Sequence, residues 1–390
     1  MKRHIFFLLI FSFLSLQAQK QTRYERLSTA SGLSQSSVYK IIQDKKGFLW
    51  FATGDGLNRY DGHNFKIYRN DPSDPTTLSA SEIFSLSEDD LGNLWVGTRN
   101  SGLNKIELST GKITRFTRGP AGQDISNSNI PSILNLGKNR MGVSVLGLGY
   151  LVYDIRSNQL IKSESEWSNP LVKDVVRLFK HSSGTVWMGT RTGYLLSQLN
   201  ARSFIPYQFG ANSYRVRALF ETNNGDILVG TDGKGIYRFT PKTQKFKVVF
   251  YQSSDPLSRQ NIVTSLAKDA LQNLWIGTDN GVYKLNGEDF KSYTNIPSNP
   301  DPELGLSSNS IISLFTDANQ NTWVGTWEAG LNISFFQKPR FSVLRYKPNT
   351  LQGLLSNKVS TLLADEDRGV WVGSNVGLSY FNHKSGLVTH

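Results

Sequence analysis

Four carboxylates occupy one kind of position in this chain. Asp55, Asp232, Asp279 and Glu328 each stand in the loop just after a small residue–Thr pair: Ala52-Thr53, Gly230-Thr231, Gly277-Thr278 and Gly325-Thr326. Two carboxyl groups held at a set separation can hydrolyse a glycosidic bond by acid–base chemistry. These four sit at equivalent places of a repeat, which points to structural repetition and not to one catalytic pair, so no catalytic residue is assigned. A lyase or glycosidase stays as the enzymatic alternative. The same loops carry Arg99, Asn100, Arg191, Lys234, Asn280, Trp327 and Asn375. Polar groups with a few aromatics can bond hydroxyls and stack on sugar rings. The expected ligand-binding set is Trp327, Glu328, Arg99, Asn100, Arg191, Asp232 and Asp279, with plain turn chemistry as the competing reading at each. Cysteine is absent, which excludes thiol chemistry and Cys-based zinc sites. His4, His63, His181, His383 and His390 lack metal-ligand spacing. No metal and no cofactor is expected.

The loops belong to a repeat. Gly92-Asn93-Leu94-Trp95-Val96-Gly97-Thr98 returns as Leu49-Trp50-Phe51-Ala52-Thr53, Val186-Trp187-Met188-Gly189-Thr190, Leu274-Trp275-Ile276-Gly277-Thr278, Thr322-Trp323-Val324-Gly325-Thr326 and Val370-Trp371-Val372-Gly373-Ser374. Two copies lack the Trp, with Leu228 or Gly142 in its place, and successive copies lie 41 to 48 residues apart. A period of this size marks a repeat architecture. Within one copy, Ser81 to Leu86 alternates apolar and polar, and Leu94 to Thr98, Leu103 to Leu108 and Lys112 to Phe116 follow across turns of Gly, Asn and charged residues. That pattern predicts four short antiparallel strands and no helix. A lone meander leaves both faces bare, whereas sheets set radially cover one another. The fold class is therefore all-β, a β-propeller of four-stranded blades. Seven blades with the start of a second propeller is the expected count, and an eight-bladed ring is the alternative.

Trp50, Trp95, Trp187, Trp275, Trp323 and Trp371 read as packing between blades, with stacking on carbohydrate as the alternative. Gly97, Gly189 and Ala52, two residues later, imply close approach near the narrow axis. Trp327 and Trp167 fall outside the repeated slot. Gly142 removes bulk from one contact, and Trp167 is the expected filler. A second phrase opens most units, as in Leu33-Ser34, Leu78-Ser79, Leu257-Ser258, Leu306-Ser307 and Leu355-Ser356, and reads as turn chemistry. Arg23 to Leu27 resembles a fourth strand standing alone, which would let the ring close on itself. Phe341 to Leu344 reads as another fourth strand.

Residues 1–19 read as a secretory signal, with a basic start and an apolar run too short to span a bilayer comfortably; an uncleaved anchor is the alternative. No later stretch is apolar enough to cross a membrane. Residues 20–350 are expected to form the propeller, and residues 351–390 an incomplete first blade of a second one, so that the chain reads as a partial gene product. The formal charge is +12. Lys and Arg are scattered through the turns without the basic stripe and interleaved aromatics of a nucleic-acid binder, so nucleic acid is not an expected partner. A solvated basic surface accounts for the charge, and selectivity for an anionic ligand is the other reading.

The phrases Leu-Ser-x-x-x-Val, Gly-x-Leu-Trp-[Ile/Val]-Gly-Thr and x-x-Gly-Leu, repeating after a leader that ends Gln17-Ala18-Gln19, resemble the two-component regulator propeller repeats. Such repeats form the periplasmic sensor half of hybrid histidine kinases of Bacteroidetes. The resemblance implies a periplasmic module that binds oligosaccharide and takes part in regulating polysaccharide use. It also implies a homodimer in the full-length sensor, and membrane attachment only through downstream regions. A docking scaffold without small-ligand binding is the alternative.

Overall fold

Each repeat folds as one antiparallel sheet of four strands, and the described residues hold eight such sheets. The computed structural model describes residues 24–119, 124–157, 159–161, 170–198, 203–210, 214–255, 258–288, 290–302, 304–337, 344–346, 353–365, 369–383 and 385–390. Trp167 and the leader lie outside them, as do Phe341 to Val343. The chain divides into a unit ending at Phe336 and a second beginning at Gln337. Blade 2 shows the common pattern, with strands Ile83–Glu88, Asn93–Thr98, Leu103–Glu107 and Ile113–Phe116. Among the described residues the only α-helix is the four-residue turn Pro170–Lys173. No helix among them is long and apolar enough to cross a membrane.

The first unit is a closed ring of seven blades. The strands opening the blades are Val38–Gln43, Ile83–Glu88, Ser132–Gly137, Val175–Lys180, Val216–Glu221, Val263–Lys268 and Ile311–Thr316. Each touches the opening strand of the next blade, and the last touches the first, so they are innermost and surround the axis. Blade 7 supplies only three strands of its own. Its fourth is Tyr24–Leu27, paired with Leu331–Ser334 from Tyr24↔Ser334 to Leu27↔Leu331. Arg26 reinforces this weld by donating to the carbonyl oxygens of Asn299, Pro300, Gly305 and Leu306. Ser313 Oγ of blade 7 bonds the Val38 carbonyl of blade 1 at 2.7 Å. These contacts set aside the eight-bladed alternative.

Tryptophan is the mortar. Trp50 packs on Leu78, Ile83 and Leu94 of blade 2, and Trp95 on Ile133, Met141 and Tyr153 of blade 3. Trp187 packs on Ile227 and Phe239 of blade 5, Trp275 on Ile311 and Val324 of blade 7, and Trp323 on Val38 and Phe51 of blade 1. Leu228 does the same duty towards blade 6. Opposite Gly142 the space is filled by Tyr150 of the same blade: a Cβ on Gly142 would lie 2.9 Å from its ring. Tyr150 is 1% exposed and packs on Val172, Val175 and Met188 of blade 4. Gly97 is required where blades converge, since a Cβ there would sit 2.7 Å from the Ile130 carbonyl oxygen of the next blade. The second unit carries one sheet, in which Trp371 remains 40% exposed beside Leu362, Leu363 and Leu378.

A buried carboxylate holds four of these indoles. Asp44, Asp89, Asp269 and Asp317 lie six residues before Trp50, Trp95, Trp275 and Trp323 and accept their indole N–H at 2.7 to 3.0 Å. Each Asp also accepts backbone N–H bonds across its own turn, so one side chain closes the hairpin and satisfies the indole donor. At Asp269 burial pulls the pKa up. Lys284 at 2.8 Å, the Trp275 indole and the Asn273 amides outweigh it and hold the carboxyl below its usual value. A depressed folded pKa contributes stability that is full above the unfolded value of about 4 and is lost as pH falls through the folded one. Asp269→Asn should therefore be less stable than the parent at pH 7, and the gap should close on acidification below about pH 4. Melting temperatures of both proteins between pH 7 and pH 3 check this, and a gap independent of pH would refute it.

Candidate functional site

The two recurring phrases lock together on one side of the ring. Thr98 Oγ1 donates to the Gly102 carbonyl at 2.8 Å, and Thr53, Thr231, Thr278 and Thr326 make the same bond to Gly56, Gly235, Gly281 and Gly330. The Gly-Thr step thus closes the loop between the second and third strands. Next along, Asn104 pairs reciprocally with Ser79 of the Leu-Ser phrase, its Oδ1 accepting from the Ser79 N–H at 2.9 Å and its Nδ2 donating to Ser79 Oγ at 2.8 Å. Asn58 with Ser34 and Asn332 with Ser307 repeat the pair. The connection between blades and the loop after Gly-Thr are therefore held on the same edge, beside the head of the innermost strand.

That edge is where the expected ligand residues stand, and the structure sorts them into groups. Several are tied to the head of their own innermost strand: Arg99 to Glu82 at 3.0 Å, Arg191 to Asp174 at 2.7 Å, Asp232 to Arg217 at 2.9 Å and Asp279 to Arg259 at 2.7 Å. Asp279 also accepts from the Ser310 hydroxyl. Asp55 pairs with Arg69 at 3.2 Å. Asn100 and Glu328 have left-handed backbones, with φ of 58° and 65°. Asn375 accepts from Ser356 at 2.9 Å in the second unit. Arg191 and Asp232 stand on blades 4 and 5, and Asp279, on blade 6, reaches Ser310, whose carbonyl accepts the Trp327 backbone N–H at 2.9 Å.

Trp327 begins a row of rings. It is 47% exposed. Its indole meets Tyr39 at 6.0 Å, and Tyr39 meets Phe84 edge-on at 4.8 Å. The Arg99 guanidinium lies 5.6 Å over Phe84. The Glu328 N–H donates to Ser37 Oγ, two residues before Tyr39. The row thus crosses blades 7, 1 and 2, with the Arg99–Glu82 pair at one end and Glu328 at the other. Burial, with the Glu82 charge adding to it and Arg99 opposing it, pushes the Tyr39 phenol above its usual pKa, so it is a neutral donor near pH 7.

Tyr39 and Phe84 escaped sequence reasoning. Both sit where the ladder between first and second strands skips a residue, between Val38 and Lys40 and between Ile83 and Ser85. Such a bulge re-aims its side chain. The same shift recurs at Val176, Arg217, Thr264 and Ile312. An aromatic at this one position in two neighbouring copies was the available signal.

A ring of four-stranded blades, closed by an N-terminal strand and tied by Trp–Asp contacts, defines a β-propeller. The two component regulator propeller pattern matches four of its repeats, at residues 32–55, 77–100, 257–280 and 305–328, each running from the Leu-Ser phrase to the loop after Gly-Thr. A histidine kinase of Formosa agariphila is 49% identical over 78 residues, which is 19% of this chain and 6% of that protein. Among solved structures, an extracellular domain attributed to a hybrid two component system of B. thetaiotaomicron superposes with a TM-score of 0.70 at 24% identity, covering 95% of this chain and 49% of that one. Virginiamycin B lyase of Staphylococcus aureus superposes with a TM-score of 0.61 at 11% identity, over 80% of this chain and 98% of the lyase. This chain spans about half the length of the B. thetaiotaomicron domain.

Proposed function

We propose that this chain is the exported ligand-sensing propeller of a two-component signalling protein, and that oligosaccharide binds along the row Trp327–Tyr39–Phe84 between Arg99 and Glu328. The repeat family and the kinase similarity support the signalling context. The row of partly open rings beside opposed charges carries the ligand class, because sugar faces stack on aromatic rings while hydroxyls bond the polar flank. The second unit reads as the opening blade of a further propeller, and the functional protein as a homodimer. The carboxylates Asp55, Asp232 and Asp279 are each matched to an arginine, an arrangement suited to holding loops. Calorimetric titration of neutral plant and algal oligosaccharides into the chain tests the reading. Trp327→Ala should weaken binding by roughly 1–2 kcal/mol, about 5- to 30-fold, while leaving the melting temperature within a degree or two. Light scattering with and without ligand separates a sensor from a docking scaffold. Absence of heat from every oligosaccharide, or an unchanged affinity in Trp327→Ala, would reject the proposal.

A further inference from the structure

A second group of rings stands on blade 5, on the same edge of the ring as the aromatic row. Lys234 lies in the loop after Gly230-Thr231, Tyr214 in the connection that enters the blade, and Tyr251 directly past the last strand, Lys245–Phe250. The Lys234 ammonium sits 5.4 Å over the Tyr214 ring and 5.7 Å over the Tyr251 ring. The backbone brings the three together. The Asp232 N–H donates to the Arg215 carbonyl at 3.0 Å, which ties the loop to the residue after Tyr214. Gly235, next to Lys234, approaches Phe250 so closely that a Cβ on it would overlap the Phe250 carbonyl. Asn261, buried beneath the loop, accepts the Gly235 N–H on its carbonyl at 2.9 Å and the Gln252 N–H on its Oδ1 at 2.7 Å. One anchor thus clamps the residues that follow Lys234 and Tyr251. The Thr231 hydroxyl accepts the Lys234 backbone N–H at 3.1 Å and fixes the start of the side chain.

Lys234 differs from the other cations of these loops in having no counter-ion. Arg99 and Arg191, in the same loop of blades 2 and 4, are each matched to a carboxylate. The Lys234 ammonium makes no ion pair and no hydrogen bond among the described residues. Asp232, the carboxylate of its own loop, is taken by Arg217 at 2.9 Å. Two ring faces attract and orient the ammonium, but its three N–H donors are left for an acceptor from outside the protein. Tyr251 is 42% exposed, so a ligand can reach its ring and the ammonium together.

We propose that Tyr214, Lys234 and Tyr251 form a second binding site, whose ligand is an acidic sugar. The sugar ring packs against the exposed Tyr251, and its carboxylate or sulfate ester, carried at the rim of that ring, accepts from the Lys234 ammonium. A lysine suits either head group, because it binds as a point charge without the planar fork of an arginine. A neutral sugar would leave the ammonium unmatched, so this site selects for charge. It shares no residue with the row Trp327–Tyr39–Phe84 and does not depend on oligosaccharide binding there.

Calorimetric titration of the full chain at low ionic strength with glucuronate, sulfated glucose, glucose and sodium sulfate is the direct test. At least one of the two acidic sugars should bind saturably, and glucose and sodium sulfate about 10-fold more weakly or not at all. Which acidic sugar binds identifies the head group. Lys234→Gln should weaken that binding about 10-fold or more, as the loss of a charged hydrogen bond does. Tyr251→Ala should weaken it about 2- to 10-fold. Both variants should melt within a degree or two of the parent without ligand, so that lost binding reports the site and not the fold. Absence of saturable binding by both acidic sugars, sodium sulfate bound as tightly as they are, or an unchanged affinity in Lys234→Gln would overturn the proposal. Acidic sugar lost in Trp327→Ala and kept in Lys234→Gln would remove this site and leave the sensing reading intact. Acidic sugar bound through Lys234, with no neutral oligosaccharide bound through Trp327, would do the reverse.

Discussion

Trp95→Ala should cost the propeller roughly 3–5 kcal/mol of unfolding free energy, the range for a large aromatic removed from a well-packed interior. The side chain is fully buried. It stacks on Phe116 of its own blade at 5.3 Å and meets Tyr153 of blade 3 at 4.6 Å, so its loss opens a void between two sheets. Most of the loss comes from that void and little from the indole hydrogen bond. Asp89 keeps three other donors, the backbone N–H groups of Leu91 and Asn93 and the Asn93 side chain, so the carboxylate is not stranded. The reverse change, Asp89→Ala, leaves the indole N–H and those backbone donors unmatched and should cost about 1–3 kcal/mol. Trp371→Ala provides the contrast, because that residue occupies the same slot of its repeat but is 40% exposed; its loss should stay below about 1 kcal/mol. Urea unfolding followed by tryptophan fluorescence and circular dichroism ranks the three. Equal losses at Trp95 and Trp371 would show that the indole supports its own sheet and not the joint between sheets.

The same pair explains what could be read from the sequence. A residue that must fill one wedge between equivalent sheets recurs at one spacing, so the tryptophans announce sheets about an axis before any coordinate is known. The Gly-Thr step is legible for a similar reason: only a small residue tolerates the approach at Gly97, and only a hydroxyl closes the turn at Gly102. The aspartates at Asp44, Asp89, Asp269 and Asp317 were hidden because an Asp in a hairpin turn is already accounted for by bonds to its own backbone. Their second role, reaching the indole, depends on the depth of the turn. Tyr150 was hidden for another reason. The void at Gly142 could be filled from anywhere, and sequence gives no vector; the adjacent strand filled it, while Trp167 lies outside the described residues. The loop charges were the least legible. Asp232 and Arg217 are 15 positions apart, and only the fold shows that they meet as an ion pair. The aromatic row needed the bulge at Tyr39 and Phe84, a backbone irregularity that periodicity cannot reveal.

Gly330→Ala should cost about 2–6 kcal/mol, from a left-handed backbone and a steric overlap together. Gly330 has φ of +73°, and a Cβ built on it would run into the carbonyl oxygen of Leu27 and lie 3.2 Å from Ser28 Cα. Leu27 belongs to the N-terminal strand that completes blade 7, so the overlap falls on the seam between the two ends of the ring. The Gly330 N–H also donates to Ser36 of blade 1 at 2.8 Å, and its carbonyl receives Thr326. Two other glycines separate the contributions. Gly47 has φ of +92° with nothing within 4 Å of a Cβ, so Gly47→Ala should show the conformational cost alone, about 1 kcal/mol. Gly235, at φ of +64°, would drive its Cβ into the Phe250 carbonyl within blade 5, away from the seam. If the seam holds the ring shut, Gly330→Ala alone among the three frees the N-terminal strand. Arg26, whose guanidinium is otherwise engaged by four carbonyls, then becomes open to trypsin under native conditions. Mass spectrometry of the digest reads this directly. Protection of Arg26 in Gly330→Ala would mean that closure rests on the contacts between blades 7 and 1 and not on the borrowed strand.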